Sequence, residues 1–294
     1  MINSIFLALC SNISFSVASL YFTDFSKKIS SVWVNYVKAL VAFVCFSLLC
    51  LFLSIPFQLS QLSFFWLCIS GFLGLFIGDI FLFKGFAHLG SGRVLMIFGF
   101  QPLFLGIASV FIFQESFSLN RLIAIFFLIL CLLCFSLESV RQKGHWDFKG
   151  IMFALIGILL DGSGVLLTKK AFIESPEMSV FSANLIRMGS ALLGFFILSF
   201  LPQFKMSLIE PFTRLETKEK KTILFASFLG TFLSLTFYLK AIQIGHIATI
   251  SAITGTSPLF ATIFEIYKGR KPLTKYLVIA LFSFVIGVSL LIFL

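Results

Sequence analysis

Hydrophobic residues run along this chain in long uninterrupted stretches, without the strict alternation of a half-buried strand. At 1.5 Å of rise per residue, about 20 apolar residues carry a helix across a hydrocarbon layer of ~30 Å. Stretches at about 3–21, 32–54, 63–86, 91–113, 119–137, 150–169, 179–201, 222–243, 246–267 and 274–293 match that length. The pattern predicts an all-α polytopic membrane protein with ten transmembrane helices and short loops. No cationic segment precedes the first stretch and no small-residue cleavage pattern follows it. It is therefore expected to stay as a span and not to be removed as a signal peptide.

Polar positions inside these stretches repeat. SVWVNYVKALVAF carries Asn35 and Lys38, and SVFSANLIRMGSALL carries Asn184 and Arg187, so Asn-x-x-cation recurs in two otherwise apolar helices. FLFKGFAHLGSGRVLMIFGFQPLF, with Lys84 and Pro102, aligns without a gap on FYLKAIQIGHIATISAITGTSPLF, with Lys240 and Pro258. Two copies of an odd number of spans must enter the bilayer in opposite orientations, an inverted repeat that builds a site near the midplane where its halves meet. The expected organisation is a five-helix repeat over 1–138, a linker over 139–149 and a second five-helix repeat over 150–294.

Composition narrows the class. With 59% hydrophobic and 12% charged residues, the chain lies far from soluble domains, whose charged fraction is about 25%. The 42 Phe suit lipid-facing and inter-helix packing rather than base stacking. A net charge of +10 sits in loops rather than along one face, so it sets topology and implies no nucleic-acid partner. Loops after odd-numbered spans hold about sixteen Lys and Arg against about four in the others. In a cell inner (cytoplasmic) membrane that bias places both termini on the non-cytoplasmic side. The six cysteines lie in apolar runs, where a thiol acts as a small hydrophobe, and Cys131-Leu-Leu-Cys134 lacks the βαβ setting of a redox pair. No disulfide is expected.

A charge near the middle of a span costs about 2.5–3.5 kcal/mol on insertion scales and must be compensated. Asp161 lies mid-span, followed by Gly162 and Gly164, which allow close backbone approach or unwinding. Asp79 follows Gly71, Gly74 and Gly78, a small-residue stripe suited to tight contact within one chain or in a homodimer. Lys38 and Arg187 lie roughly 5–8 Å from the centres of their spans. On one reading these four line a wet cavity, cations holding a carboxylate or phosphate and a carboxylate holding an amine or the coupling proton. On the other, the two acids neutralise the two cations as buried pairs that fix helix register. Asn35 and Asn184 lie one turn before their cations, and either bond a ligand or bond across helices. Glu265 has Lys268 one turn on as a local partner. His88 and His246 sit at loop edges, and Pro102 and Pro258 are expected to kink their spans.

The two halves, the gap-free Lys84–Pro102 and Lys240–Pro258 segments, and Gly85 and Ala241 seventeen residues before their prolines together resemble the drug/metabolite transporter superfamily, EamA-type branch. QESFSLNRLIAI is similar to that family's acidic residue (Glu115) and following hydroxyl (Ser118) closing the fourth helix. In the second copy Lys271 stands where an acid is usual. LLDGSGVLLTKKAF is similar to the first-helix cluster followed by a lysine, here Lys169, and Lys38 and Arg187 match the basic residue early in the second helix. The resemblance implies a secondary transporter of a small polar metabolite, amino-acid-like, nucleoside- or sugar-like, or drug-like, often an exporter, working by alternating access with proton coupling or exchange. Nucleotide-sugar carriers of the same superfamily keep both termini in the cytosol, opposite to the cation count here. There is no Gly-rich phosphate loop, no cluster of metal ligands and no Ser/His/Asp constellation, so no enzymatic activity, metal or cofactor is expected. The rival readings are a non-transporting scaffold or sensor on the same fold, marked by a dry interface between the halves, and an intramembrane lipid enzyme.

Overall fold

The computed structural model describes residues 2–114, 123–131, 133–134, 147–200, 209–267 and 274–292, and no strand occurs among them. The helices follow the hydrophobic stretches closely. In chain order they are α1 (Ile2–Lys28), α2 (Ser31–Phe52), α3 (Gln61–Leu89), α4 (Ser91–Phe98), α5 (Gln101–Phe113), α6 (123–131), α7 (Phe148–Glu174), α8 (Val180–Ser199), the short α9 (Glu210–Arg214), α10 (Thr217–Ile244), α11 (Ile247–Thr254), α12 (Ser257–Tyr267) and α13 (Lys275–Ile292). Among the described residues seven helical segments are long and apolar enough to cross a membrane: α1, α2, α3, α7, α8, α10 and Ile247–Phe264. Part of the expected fifth span, most of the expected linker, and Glu115, Ser118, Lys268 and Lys271 lie outside the described residues.

Local chemistry sets the helix starts. Ser30 accepts a hydrogen bond from the Trp33 amide, Ser60 from Ser63, Ser179 from Phe181 and Asp147 from Lys149, each satisfying a first-turn N–H. Glu216 and Glu219 form a reciprocal cap on α10. Asp147 begins the second half one turn earlier than the hydrophobic pattern alone suggests, and it also bonds His88 Nδ1 at 2.6 Å, tying α7 to the end of α3. That bond holds the Asp147 carboxyl below the usual carboxylate range. Lys28 pairs with Glu219 at the same end of the bundle.

Among the described residues two departures from regular α-helix recur, each seen twice. The expected fourth span is two helices broken at Gly99–Phe100, and the ninth is broken at Gly255–Thr256. In both, a proline stands within the first two residues of the second piece, Pro102 in α5 and Pro258 in α12, where its missing N–H is no loss. The expected kinks are thus breaks, each at a Gly three residues before the proline. Likewise α3 widens into a π-helical stretch at Gly71–Gly78 and α10 at Phe228–Leu233. The underlying sequences, GFLGLFIGD and SFLGTFLSL, align without a gap in the register that pairs Lys84 with Lys240.

The glycine stripe on α3 is consumed inside the chain. A Cβ on Gly71 would stand 2.2 Å from the Arg187 carbonyl oxygen and 2.7 Å from its Cα, while Gly74 faces Asp161 and Gly164 at 3.7 Å. α3 is thereby pressed against α7 and α8. Because the obstacle at Gly71 is backbone, Gly71→Ala is expected to lower stability by about 1–3 kcal/mol. Gly74→Ala, on the same stretch, is expected to cost much less; thermal midpoints of the two variants in detergent check the contrast.

Candidate functional site

At the middle of the bundle α1, α2, α3, α4, the start of α5, α7, α10 and the α11–α12 break line a partly open cavity of about 110 Å³. Its lining is mixed: Phe15, Leu75, Leu82 and Phe98 beside Ser11, Asn12, Thr231, Ser234 and Tyr238. Apolar clusters flank it along the helices. On α1, Ile5 and Ala8 precede the lining residues and belong to one cluster, and Ala18 to Phe25 follow them in another with Trp33, Phe83 and Phe86.

Three of the six sequence-predicted site residues line this cavity: Lys38, Asp79 and Asp161. The other three, Asn35, Asn184 and Arg187, are buried among the helices behind it. Lys38 and Asp79 form a buried ion pair, with the Lys38 ammonium also 5.0 Å from the centre of the Phe83 ring. α2 and α3 supply one partner each, so the pair fixes their register. Asp161 and Arg187 do not pair. Asp161 accepts a hydrogen bond on Oδ2 from Gln101 Nε2 at 2.7 Å, and its Oδ1 has no hydrogen-bond partner in the structure. Arg187, 1% exposed, donates from Nε to Ser70 Oγ at 3.0 Å, and its Nη1 has no hydrogen-bond partner. Ser70 lies within bonding distance of the Gly164 carbonyl (2.6 Å) and Thr168 Oγ1 (2.7 Å), which links α3, α7 and α8. Asp79 thus neutralises Lys38 while both line the cavity, and Asp161 lines it bonded to Gln101 and unpaired with Arg187.

Both asparagines bond across helices. Asn35 Nδ2 donates to the Leu75 and Phe76 carbonyls, each at 3.1 Å, inside the π-helical stretch of α3. Asn184 Nδ2 donates to the Leu235 carbonyl at 3.3 Å, just beyond the π stretch of α10. Wide turns leave carbonyls with poor internal partners, and a buried amide on the neighbouring helix supplies the missing donor. Lys169 likewise serves the backbone, bonding the Ile242 and Gly245 carbonyls at 2.8 and 3.0 Å where α10 ends. Thr254 lines the cavity, and its carbonyl is bonded by Ser257 Oγ at 2.6 Å. The Glu265 side chain lies outside the described ones.

Sequence reasoning missed Asn12 and Gln101. Asn12 donates to the Ile253 carbonyl at 2.8 Å and Thr256 Oγ1 at 2.9 Å, and accepts from Ser257 Oγ. A signal was present. Asn12 precedes Asp161 by the spacing that separates Asn35 from Asn184, and Gln101 precedes Ser257 by the spacing that separates Lys84 from Lys240. Asn12–Ser257 and Gln101–Asp161 are thus one contact made twice, a first-helix polar side chain reaching the residue before the proline in the other half's broken helix. Being uncharged, Asn12 and Gln101 did not stand out by insertion cost.

A model of the EamA-like transporter family matches the chain twice, over 2–137 and 148–293. A WAT1-related chloroplastic protein of Arabidopsis thaliana is 24% identical over 188 residues, 63% of this chain and 44% of that protein. The chain thus spans less than half the length of that relative. A solved protein crystal structure superposes with a TM-score of 0.77 at 11% identity, covering 98% of this chain and 96% of the other, so the fold is shared. A polytopic helical membrane protein whose two halves each match one family model, this chain belongs to the EamA-like transporter family.

Proposed function

We propose that this chain is a ten-helix secondary carrier of a small polar metabolite, built as two inverted five-helix halves that rock about the central cavity. Net movement is outward across the cytoplasmic membrane, driven by an ion gradient or by exchange, with both termini outside the cytoplasm. The observation that carries the reading is a cavity of mixed lining near mid-span, lined from both halves and carrying three ionisable side chains, Lys38, Asp79 and Asp161. The paired features of α3 with α10, and of the two broken spans, support the repeat, because discontinuous helices at matching positions mark binding sites in such folds. Outward movement rests on the resemblance read from the sequence, and the orientation on the excess of Lys and Arg at the Lys28–Glu219 end. A non-transporting scaffold or sensor would need no central cavity lined by ionisable side chains, so transport is the better supported reading.

Asp161 is the group assigned to substrate or proton, and Lys38–Asp79 the pair assigned to structure. Purified protein in proteoliposomes is expected to catalyse counterflow of a small metabolite, and Asp161→Asn to lower the initial rate more than tenfold at unchanged expression; an unchanged rate would remove Asp161 from the mechanism. Lys38→Met alone strands a buried carboxylate and is expected to cost about 3–5 kcal/mol, whereas Lys38→Met with Asp79→Leu recovers most of that loss. Unfolding midpoints of the single and double variants measure the difference. A membrane-impermeant thiol label applied to intact cells is expected to reach a cysteine added before Ile2, and not one introduced at Lys218.

A further inference from the structure

A second cavity, partly open, lies between α1, the start of α8, the C-terminal part of α10 and the turn that joins α7 to α8. Two charged side chains line it, Glu177 and Lys240, and they form no ion pair with each other. Lys240 is nevertheless held in place. Its ammonium donates to Gln243 Oε1 at 2.8 Å, and Gln243 Nε2 donates in turn to the Pro176 and Met178 carbonyls of the α7–α8 turn at 3.3 and 3.0 Å. An ammonium carries three N–H donors, so two remain on Lys240. Glu177 is exposed and has no ion-pair partner among the described residues.

Depth in the bilayer sets this pair apart from charges on a loop. α8 begins at Val180 and α10 ends at Ile244, so the turn and Gln243 stand at one edge of the hydrocarbon layer. Leu7, Phe181 and Phe237, all half-buried, give the lining its apolar part, and Phe237 lies one turn further into the layer than Lys240. A cation, a carboxylate and an apolar surface thus share one recess at the level of the lipid headgroups.

The other half shows the same position covered. Lys84 is the repeat mate of Lys240, and Phe81 that of Phe237. There the Phe153 ring of α7 packs 5.9 Å from that of Phe81, and the half-buried Lys84 lies 5.5 Å from the centre of each. By the spacing that relates Asn12 to Asp161, Phe153 corresponds to Ser4 of α1, which has no ring to offer. Lys240 is accordingly exposed where its mate is not.

We infer that this recess holds a phospholipid whose headgroup carries a primary ammonium, with its phosphate on Lys240, its ammonium on Glu177 and the start of an acyl chain against Leu7 and Phe237. Both protein charges are then balanced by charge-assisted hydrogen bonds. A phosphoglycerol headgroup would satisfy Lys240 and leave Glu177 without a cation, and a quaternary ammonium has no N–H to give the carboxylate. Since Leu7 belongs to the first half and the rest of the lining to the second, the lipid bridges the two halves.

Phosphatidylethanolamine, phosphatidylcholine and phosphatidylglycerol with identical acyl chains separate the possibilities. Added to purified full-length protein in mixed micelles, phosphatidylethanolamine is expected to raise the unfolding midpoint in a saturable manner and to stay bound in native mass spectra. The other two are expected to bind about tenfold more weakly, the worth of one charge-assisted hydrogen bond. Glu177→Gln is expected to abolish the preference for phosphatidylethanolamine over phosphatidylglycerol, and Lys240→Gln to weaken phosphatidylethanolamine about tenfold. Leu7→Trp, which keeps both charges and fills the recess from α1, is expected to weaken it as well. Size-exclusion profile and lipid-free midpoint accompany each variant, so loss of fold is told apart from loss of binding. Equal affinity for the three lipids overturns the assignment, as does a phosphatidylethanolamine preference that survives in folded Glu177→Gln or full binding by folded Lys240→Gln. Glycerophosphoethanolamine, the headgroup without chains, binding as tightly as the lipid would give the recess to a soluble ligand and overturn it equally.

Discussion

Hydrocarbon offers no partner to a charge or to an unbonded backbone group, and the middle of this molecule is organised by that absence. Four ionisable side chains sit near the centres of its helices: Lys38 and Asp79 pair with each other, Arg187 bonds Ser70, and Asp161 bonds Gln101. The same rule governs the backbone. Where α3 and α10 widen, an asparagine from the neighbouring helix supplies donors, and where α10 ends, Lys169 does. Much of the polarity in the core is thus spent on holding helices together.

The repeat is architectural rather than chemical. Asn35 and Asn184 keep their identity, but Asn12 answers to Asp161, Ser257 to Gln101, and Asp79 to Leu235. Asn12–Asp161 and Asp79–Leu235 therefore carry charge in one copy alone, whereas Lys38 and Arg187 are cationic in both. The first-helix contact is multiply bonded and neutral at Asn12 and singly bonded and ionisable at Asp161. Symmetry supplies the cavity, and its violation supplies the cavity's electrostatic character.

Most of the helices could be read from hydropathy because the membrane enforces length: α1, α2, α7 and α8 fall near the expected bounds. The breaks at Gly99 and Gly255 were only partly legible, since proline signals an interruption but its neighbours decide whether the helix bends or stops. The π stretches were not legible at all; a wide turn costs no polar residue in sequence and is revealed only by where Asn35 and Asn184 send their amides. For the site, charge was a good guide to Lys38, Asp79 and Asp161. It was a poor guide to which charges are satisfied, because pairing depends on rotations between helices that composition does not encode. Asn12 and Gln101 went unread for the opposite reason, as neutral amides carry too little insertion cost to stand out.

The asparagine bridges also determine which parts can slide. Returning Gly71–Gly78 to ordinary α-helical winding would withdraw the Leu75 and Phe76 carbonyls from Asn35 and strand its amide in a dry environment. α2 and α3 are therefore keyed together like a tenon in its mortise, and α8 is keyed to α10 by Asn184 in the same way. Elbow-like freedom is left to the two places where the backbone ladder is already cut, Gly99–Phe100 and Gly255–Thr256. The articulated pieces are then the half-length rods on either side of those cuts, one of which carries Gln101 against Asp161.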